Sequence, residues 1–311
     1  MHNSFQGLMI CKNDRGSSEM RMGISGLTKV YGLFGDPVEH SLSPIMQNTA
    51  FQALGLDCVY LPFLVQSKDI AGAVQAVRAL HLGGVNLTIP HKERVLPYLD
   101  EVEKEAEFIG AVNTIVNRNG RLCGYNTDAP GFLASLKAAG FDPSGKNAVI
   151  LGAGGAARAV SFALAKKGAR GIYIFNRRVE KAEKLAADLK AAYQVPTFSG
   201  DLSSDLAASL KDAELLVNAT PVGMYPNHTS RPLFTRKQLH QGLLVCDLIY
   251  NPLRTRLLEE AEAAGCRILN GVGMLVWQGA LAFQLWTGKK APAALMEEAV
   301  LKALRGKDRD G

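Results

Sequence analysis

Short apolar runs alternate with longer segments of helical periodicity along most of this chain, starting near residue 29. The runs are mostly rich in Val, Ile and Leu, as expected of strands buried on both faces, and the segments between them place apolar residues three and four positions apart. The pattern predicts strands at residues 30–34, 59–65, 85–89, 112–117, 121–125, 148–151, 172–175, 195–198, 215–220, 243–249 and 267–269. Such an alternation is typical of an α/β fold with parallel sheets.

Helices are predicted between these strands. They cover a loop and helix at 41–55, then 69–82, 91–110 with a break near Leu99, 130–140, the stretch after the glycines near residue 154, the segment from 177 to 193, 202–210, 253–264, the stretch after residue 273, and 292–304. Asn119-Gly120 separates two of the strands and predicts a type I′ hairpin between them.

The length of 311 residues is enough for two domains. We predict an α/β domain at residues 28–127 and a nucleotide-binding domain at residues 128–271. The helices after residue 271 follow the last strand of the second sheet, so we expect residues 272–311 to return to the first domain. Residues 1–27 are polar, lack the apolar core of a signal peptide, and are predicted to be a disordered tail.

Composition and charge narrow the class of protein. The net charge of +6 is a mild excess with Lys and Arg spread among acids, so we expect anionic small ligands and no nucleic acid. No apolar run approaches the length of a membrane span, and the six His residues show no metal-binding spacing, so we expect neither a membrane partner nor a metal. The cysteines are odd in number and widely spaced, which predicts free thiols in the reducing cytoplasm: Cys11, Cys58, Cys123, Cys246 and Cys266.

A glycine-rich turn follows the strand at 148–151. Gly152, Gly154 and Ala157 have the G-x-G-x-x-G/A spacing, and apolar helical sequence follows them. In a dinucleotide-binding turn the first Gly makes the bend, the second lets the backbone approach a pyrophosphate, and the third small residue lets helix and strand pack closely. Because a second strand follows the helix, we predict a Rossmann-type doubly wound domain.

The end of that second strand indicates which dinucleotide binds. NAD sites usually carry an acid there, whereas this chain has Asn176, Arg177 and Arg178, with Lys181 four residues beyond Arg177. A carboxylate would repel a 2′-phosphate, and an Arg and Lys pair would hold it through charge-assisted hydrogen bonds. The sequence therefore predicts NADP, although a solvated start of a helix is the alternative interpretation.

Polar residues of the first domain stand where apolar packing would be expected. Ser41 and Ser43 precede a predicted helix, where anions bind well, although a serine N-cap is the alternative. Asn86 and Thr88 share one side of a strand that ends at a proline, and Lys92 is predicted to open the next helix. A cation at a helix N-terminus opposes the helix dipole, so Lys92 needs a reason to be there.

Two further polar positions, Asn113 and Asp128, come at the ends of the hairpin strands. Asp128 lies where the chain crosses between the predicted domains. It is a candidate for chemistry, and it also suits the N-cap of the following helix.

Together these residues resemble the shikimate dehydrogenase family. The blocks that carry the resemblance keep their order and spacing from about residue 30 to residue 288: Ser-Leu-Ser-Pro at 41–44, Asn-Leu-Thr-Ile-Pro-His-Lys at 86–92, Ala-Val-Asn-Thr at 111–114, Gly-Tyr-Asn-Thr-Asp at 124–128, Gly-Ala-Gly-Gly-Ala at 152–156, Asn-Arg-Arg at 176–178, Asn-Ala-Thr at 218–220 and Gly-Val-Gly-Met-Leu-Val-Trp-Gln at 271–278. The one small departure is His91, where many relatives have Phe, and we expect it to be a packed histidine.

The resemblance implies reversible, NADPH-dependent reduction of 3-dehydroshikimate to shikimate, a step of aromatic amino acid biosynthesis, by a catalytic pair of Lys92 and Asp128. It implies that residues 28–127 and 272–311 form the substrate domain, and it leaves open whether the chain is a monomer or a homodimer. The substrate-binding residues that it implies are Ser41, Ser43, Asn86, Thr88, Asn113, Tyr250 and Gln278. The cofactor-binding residues that it implies are Gly152, Ala153, Gly154, Gly155, Ala156, Asn176, Arg177, Arg178, Lys181, Thr220, Leu248 and Gly271.

Two alternatives remain at this point. A quinate/shikimate dehydrogenase would also take quinate and use NAD, but such relatives tend to carry an acid directly after Asn-Arg-Arg, where this chain has Val179. A non-catalytic ligand sensor on the same fold would need neither Lys92 nor Asp128, and both are present.

Overall fold

The computed structural model describes residues 23–202 and 206–307, whose strands form two six-stranded sheets. Most of the predicted tail, residues 1–22, lies outside the described residues, and residues 23–27 are exposed. The α/β class predicted from the alternating pattern is confirmed.

The first sheet is mixed. Its strands are β1 (Lys29–Gly35), β2 (Cys58–Leu64), β3 (Gly84–Leu87), β4 (Glu101–Val102), β5 (Thr114–Arg118) and β6 (Arg121–Tyr125), in the order β2-β1-β3-β5-β6-β4. The strands β1, β2 and β3 are parallel, and β5 runs antiparallel to both β3 and β6. The helices of this part are α1 (Ser43–Ala53), α2 (Ile70–Ala79) and α3 (Lys104–Ile109).

The predicted hairpin is confirmed between β5 and β6. Both turn residues have left-handed backbones, with φ of 52° at Asn119 and 93° at Gly120. A type I′ turn needs positive φ at both central positions, and Asn and Gly are the residues that tolerate it.

The second sheet is wholly parallel. Its strands are β7 (Asn147–Leu151), β8 (Gly171–Phe175), β9 (Thr197–Gly200), β10 (Leu215–Asn218), β11 (Leu244–Asp247) and β12 (Arg267–Leu269), in the order β12-β11-β10-β7-β8-β9. Its helices are α4 (Asp128–Ala138), α5 (Gly155–Lys166), α6 (Val179–Tyr193), α7 (Leu206–Leu210) and α8 (Arg256–Ala263). This is the doubly wound Rossmann order, whose switch point lies between β7 and β10.

The last two helices, α9 (Val272–Thr287) and α10 (Ala293–Lys307), return to the first sheet as predicted. Phe283 of α9 packs against Phe51 of α1 with ring centroids 5.2 Å apart, and Met296 of α10 belongs to the same buried cluster. The Trp286 indole N–H donates to the Ile115 carbonyl at 3.0 Å. The division into domains at residues 127 and 271 stays a prediction.

The predicted helix at residues 91–110 is wrong. The chain makes turns from residue 89 to residue 95, a single 3-10 turn at Leu96–Tyr98 and the short strand β4, and only α3 is α-helical. Proline at position 97 has no N–H to donate to a helix, and the Glu103 side chain caps α3 by accepting from the Glu105 and Ala106 N–H groups at 2.9 and 3.3 Å. No α-helix therefore begins at Lys92.

Smaller differences occur at element ends. Helix α4 begins at Asp128, two residues earlier than predicted, because proline is tolerated in the first turn of a helix. Helix α8 begins three residues later than predicted, at Arg256, because the Thr255 hydroxyl caps it by accepting from the Leu258 N–H at 3.3 Å.

Buried apolar clusters cover both faces of each sheet. None of the helices described within residues 23–202 and 206–307 is long and apolar enough to cross a membrane. Residues at or just beyond the carboxyl ends of β1, β3 and β11 and at the N-termini of α4, α5 and α9 line one cleft.

Candidate active site

The centre of the cleft is an ion pair between Lys92 and Asp128. The Lys92 Nζ lies 2.6 Å from Asp128 Oδ2, and the two side chains are 17% and 6% exposed. Lys92 stands in the turn after β3, and Asp128 is the first residue of α4. The alternative interpretation of Asp128 as an N-cap is wrong, because Thr127 holds that position.

Backbone and side-chain contacts fix the turn that carries Lys92. The His91 N–H donates to the Thr88 carbonyl at 2.8 Å, and the Lys92 carbonyl accepts from the Val112 N–H at 2.8 Å. His91 is fully buried, with Nε2 2.7 Å from the Val65 carbonyl, and since a carbonyl can only accept, the ring N–H donates there. This histidine is packed, as expected, and it also ties the turn to the end of β2.

The glycine-rich turn comes close to the same lysine. A Cβ added to Gly155 would lie 3.1 Å from Lys92 Cβ, so the absence of a side chain there makes room for the lysine stem. Gly152 has φ of 110°, and its added Cβ would lie 3.0 Å from the Ala219 carbonyl oxygen, which is tighter than ordinary van der Waals contact. Space around the Gly154 Cα is open, and this residue caps α5, so the helix N-terminus faces the cleft.

A network of buried amides and hydroxyls forms one wall of the cleft. Asn86 Nδ2 donates to the Asn113 carbonyl at 3.1 Å and to Thr114 Oγ1 at 3.0 Å. Since a backbone carbonyl can only accept, the Asn86 amide is oriented with its oxygen toward Tyr60, whose hydroxyl donates to Asn86 Oδ1 at 2.8 Å. Asn113 in turn donates to Thr127 Oγ1 at 2.9 Å and to Gln278 Oε1 at 3.4 Å.

The opposite wall carries two serines and a tyrosine. The Ser41 hydroxyl accepts from the Ser43 N–H at 3.2 Å, and the N-cap of α1 is Leu42, so neither serine is the N-cap residue. Burial raises the pKa of Tyr250, and hydrogen bonding with the Ser41 hydroxyl and the Leu42 backbone offsets part of that rise. Tyr250 therefore reaches from the second sheet to the loop before α1.

All nine residues predicted for catalysis and substrate binding line one cavity of about 160 Å³. They are Ser41, Ser43, Asn86, Thr88, Lys92, Asn113, Asp128, Tyr250 and Gln278. Three predicted cofactor residues, Ala156, Leu248 and Gly271, line it as well. A larger open depression near Arg158 contains none of the predicted residues.

The predicted phosphate-binding cations lie just beyond the carboxyl end of β8 and in the first turn of α6. Arg177, Arg178 and Lys181 are exposed, and among the described residues none of the three forms an ion pair. Asn176 Nδ2 donates to the Arg178 carbonyl at 2.9 Å, which holds the turn before α6. Three cations on one exposed turn suit an anionic ligand.

Comparison with known proteins shows which family the chain belongs to. A family model for the shikimate dehydrogenase substrate binding domain matches residues 33–115, one for shikimate/quinate 5-dehydrogenase matches 133–248, and one for the shikimate 5′-dehydrogenase C-terminal domain matches 271–301. The chain is 54% identical over 286 residues to the shikimate dehydrogenase (NADP(+)) of Methanopyrus kandleri. The aligned region covers 91% of this chain and 99% of the relative. The chain belongs to the shikimate dehydrogenase family.

Solved structures of family members agree with the fold. Shikimate 5-dehydrogenase from Thermus thermophilus, in complex with NADP(H) and shikimate, has a TM-score of 0.80 and 42% identity over 89% of this chain and all of that one. Quinate dehydrogenase from Corynebacterium glutamicum, in complex with NAD, has a TM-score of 0.81 and 32% identity over 88% of this chain and 99% of that one.

This shikimate dehydrogenase family member has polar residues around its cleft that sequence reasoning missed. Tyr60 is fully buried behind Ser43 and Asn86, and burial raises its pKa well above the ordinary value. Asp247 is fully buried at the end of β11, where Asn218 Nδ2 donates to it at 3.0 Å. Both residues are polar and lie inside strands that the sequence predicts to be buried, at 59–65 and 243–249, and this is the signal that could have found them.

We predict that Asp247 makes stability depend on pH. Burial raises the pKa of Asp247 to about 6, and hydrogen bonds from Thr255, Asn218 and the Ile249 N–H offset part of the rise. Because the folded pKa exceeds that of the unfolded chain, the contribution to stability is present below about pH 4 and is lost as pH rises through about 6. The loss amounts to about 3 kcal/mol.

Urea unfolding of the wild type and of Asp247→Asn, at about pH 4 and about pH 7.5, measures this effect. The free energy of unfolding of the variant minus that of the wild type should increase between the two pH values. A difference that is the same at both would contradict the assignment of the raised pKa to Asp247.

Proposed function

We propose that this protein catalyses the reversible, NADPH-dependent reduction of 3-dehydroshikimate to shikimate. The observation that carries the proposal is the ion pair of Lys92 with Asp128 inside a cleft that is lined by hydroxyl and amide groups. Relatives named shikimate dehydrogenase (NADP(+)), which share about half of its residues over nearly their whole length, support it.

The substrate contacts follow from the chemistry of shikimate, a carboxylate on a ring with several hydroxyls. We propose that Ser41 and Ser43 bind the carboxylate, with Tyr250 beside them. Thr88, Asn113 and Gln278 bind the ring hydroxyls, and Asn86 supports that wall. Hydroxyls and amides can donate and accept, so they suit a ligand whose hydroxyls do both.

Lys92 and Asp128 carry the proton chemistry in this proposal. Reduction adds a hydride to the ketone carbon and a proton to its oxygen. Bound NADPH supplies the hydride. The Lys92 ammonium stabilises the negative charge that grows on the oxygen and can donate a proton to it. Asp128 orients the ammonium and accepts a hydrogen bond from the reacting hydroxyl.

The chain's own residues fit an NADP molecule. The open space at Gly154, the bend at Gly152 and the free N-terminus of α5 suit a pyrophosphate. Arg177, with Arg178 and Lys181 near it, would bind the 2′-phosphate. Asn176 would shape that turn, residues 152–156 would contact the pyrophosphate, and Thr220, Leu248 and Gly271 would line the nicotinamide half.

We further propose the cytoplasm as the compartment, because the cysteines of the described segments are free thiols and a reducing environment keeps them so. Assembly as a homodimer stays a prediction.

Initial rates with shikimate and with quinate, each with NADP and with NAD, test the proposed function directly. We expect strong activity only with shikimate and NADP. Comparable rates with quinate or NAD would move the protein to the quinate/shikimate dehydrogenases. Shikimate binding without turnover in any combination would indicate a ligand sensor.

Replacing Arg177 tests the choice of cofactor. Arg177→Ala removes a charge-assisted hydrogen bond that only a 2′-phosphate can accept, so the KM for NADP should rise on the order of 10-fold or more, with little change in the KM for NAD. Lys190→Ala, which removes an exposed cation from the far end of α6, the helix that follows Arg177, is the control and should leave both KM values unaltered. Equal losses for the two cofactors would show that Arg177 is not the 2′-phosphate ligand.

A further inference from the structure

Asp247 is a buried carboxylate that the proposed reaction does not use. It ends β11 beside Asn218, which ends β10, and the two are register partners with no exposed surface. Among the described residues it has no ion pair, and its pKa is raised by burial. A buried carboxylate without a cation lowers stability unless hydrogen bonds compensate it, so its presence calls for a role other than stability.

Three hydrogen-bond donors, from the end of β10 and from the segment after β11, contact this carboxylate. Thr255 Oγ1 donates to Oδ2 at 2.7 Å, and Oδ1 accepts from Asn218 Nδ2 at 3.0 Å and from the Ile249 N–H at 3.1 Å. The Ile249 and Thr255 bonds hold the segment that follows β11. The Asn218 bond joins that segment to the one that follows β10.

Asn218 holds the loop that follows β10. Its Oδ1 accepts from the Thr220 N–H at 3.0 Å and from Thr220 Oγ1 at 2.7 Å. Its Nδ2 also donates to the Val222 carbonyl at 3.3 Å. Because Nδ2 donates to Asp247, the amide orientation that receives Thr220 is the one that Asp247 selects.

The loop that follows β11 carries two residues of the cleft wall, Leu248 and Tyr250. Gly271 packs directly on the Leu248 carbonyl, where a Cβ would collide. The two loops are also joined to each other, since the Tyr225 N–H donates to the Asn251 carbonyl at 3.1 Å. A shift at Asp247 would therefore move both loops together.

We propose that Asp247 is a positioning residue, which holds the nicotinamide-side residues Thr220 and Leu248 and the substrate-side residue Tyr250 in one arrangement through Asn218 and Thr255. This inference rests on the proposed function, and it extends the active site to a carboxylate that touches neither substrate nor cofactor. Arg177 follows another strand, β8, and lies outside the hydrogen bonds of Asp247, so we expect binding of the adenosine phosphate to change little when Asp247 is replaced.

Asp247→Asn tests the proposal, because it keeps the shape and removes the negative charge that receives the three donors. Displacement of Tyr250 and Thr220 should raise the KM for shikimate and lower kcat, reducing kcat/KM about 10- to 100-fold, while the KM for NADP changes by less than about 3-fold. A merely structural role would lower the fraction of folded enzyme, and so the apparent kcat, without changing the KM for shikimate. An unaltered KM for shikimate would overturn the proposal.

Two variants of Thr255 keep the test decisive if Asp247→Asn fails to fold. Thr255→Val removes the hydroxyl at nearly the same volume and should raise the KM for shikimate, and Thr255→Ser restores the hydroxyl and should restore the KM. Equal impairment by Val and Ser would overturn the proposal, since it would point to packing of the methyl group. Asp212→Asn, at an exposed position before β10, is the control for loss of a carboxylate.

Calorimetric titration of the same variants with shikimate separates this inference from the proposed function. If the wild type binds shikimate but does not oxidise it, the proposed function fails, and the inference still predicts weaker binding by Asp247→Asn and Thr255→Val. Equal dissociation constants for wild type and variants would overturn the inference whatever the activity of the wild type.

Discussion

The cleft is organised around the pairing of two charges that it largely shields from bulk water, the Lys92 ammonium and the Asp128 carboxylate. The Lys92 side chain is 17% exposed and that of Asp128 is 6% exposed, so little solvent reaches the pair and each charge has the other as its partner. The pair also sets the geometry of the cleft, because it joins the turn after β3 to the first residue of α4, where the chain passes from the first sheet to the second.

The rest of the cleft is arranged so that backbone and polar groups can approach this pair. Gly155 leaves room for the lysine stem. Gly131 lets α4 approach α9 so closely that an added Cβ would lie 2.7 Å from the backbone nitrogen of Gln278. The amides of Asn86 and Asn113 are hydrogen-bonded to neighbouring hydroxyl and backbone groups, so their donors and acceptors hold fixed directions before a ligand arrives. A site that needs no reorganisation stabilises developing charge more strongly than solvent does.

Much of this could be predicted from the sequence, because the decisive signals were local. The Gly152 to Ala157 spacing after a buried strand, and the Asn119-Gly120 turn, each depend on backbone geometry that few residues allow. The sequence predicts a helix where the turn that carries Lys92 lies, because that turn is held by distant partners such as Val65 and Val112, which no local pattern shows. The buried contacts of Tyr60 and Asp247 likewise join residues far apart in the chain, and no spacing rule encodes them.

The measurement that tests the central claim most directly is the turnover of Lys92→Ala, with the dissociation constant of shikimate determined alongside. Loss of the ammonium should lower kcat about 10²- to 10⁴-fold and change the dissociation constant much less. Arg94→Ala, which removes an exposed cation from the same turn, should retain the kcat of the wild type. Near-normal turnover of a folded Lys92→Ala would contradict the assignment of the ion pair as the catalytic pair.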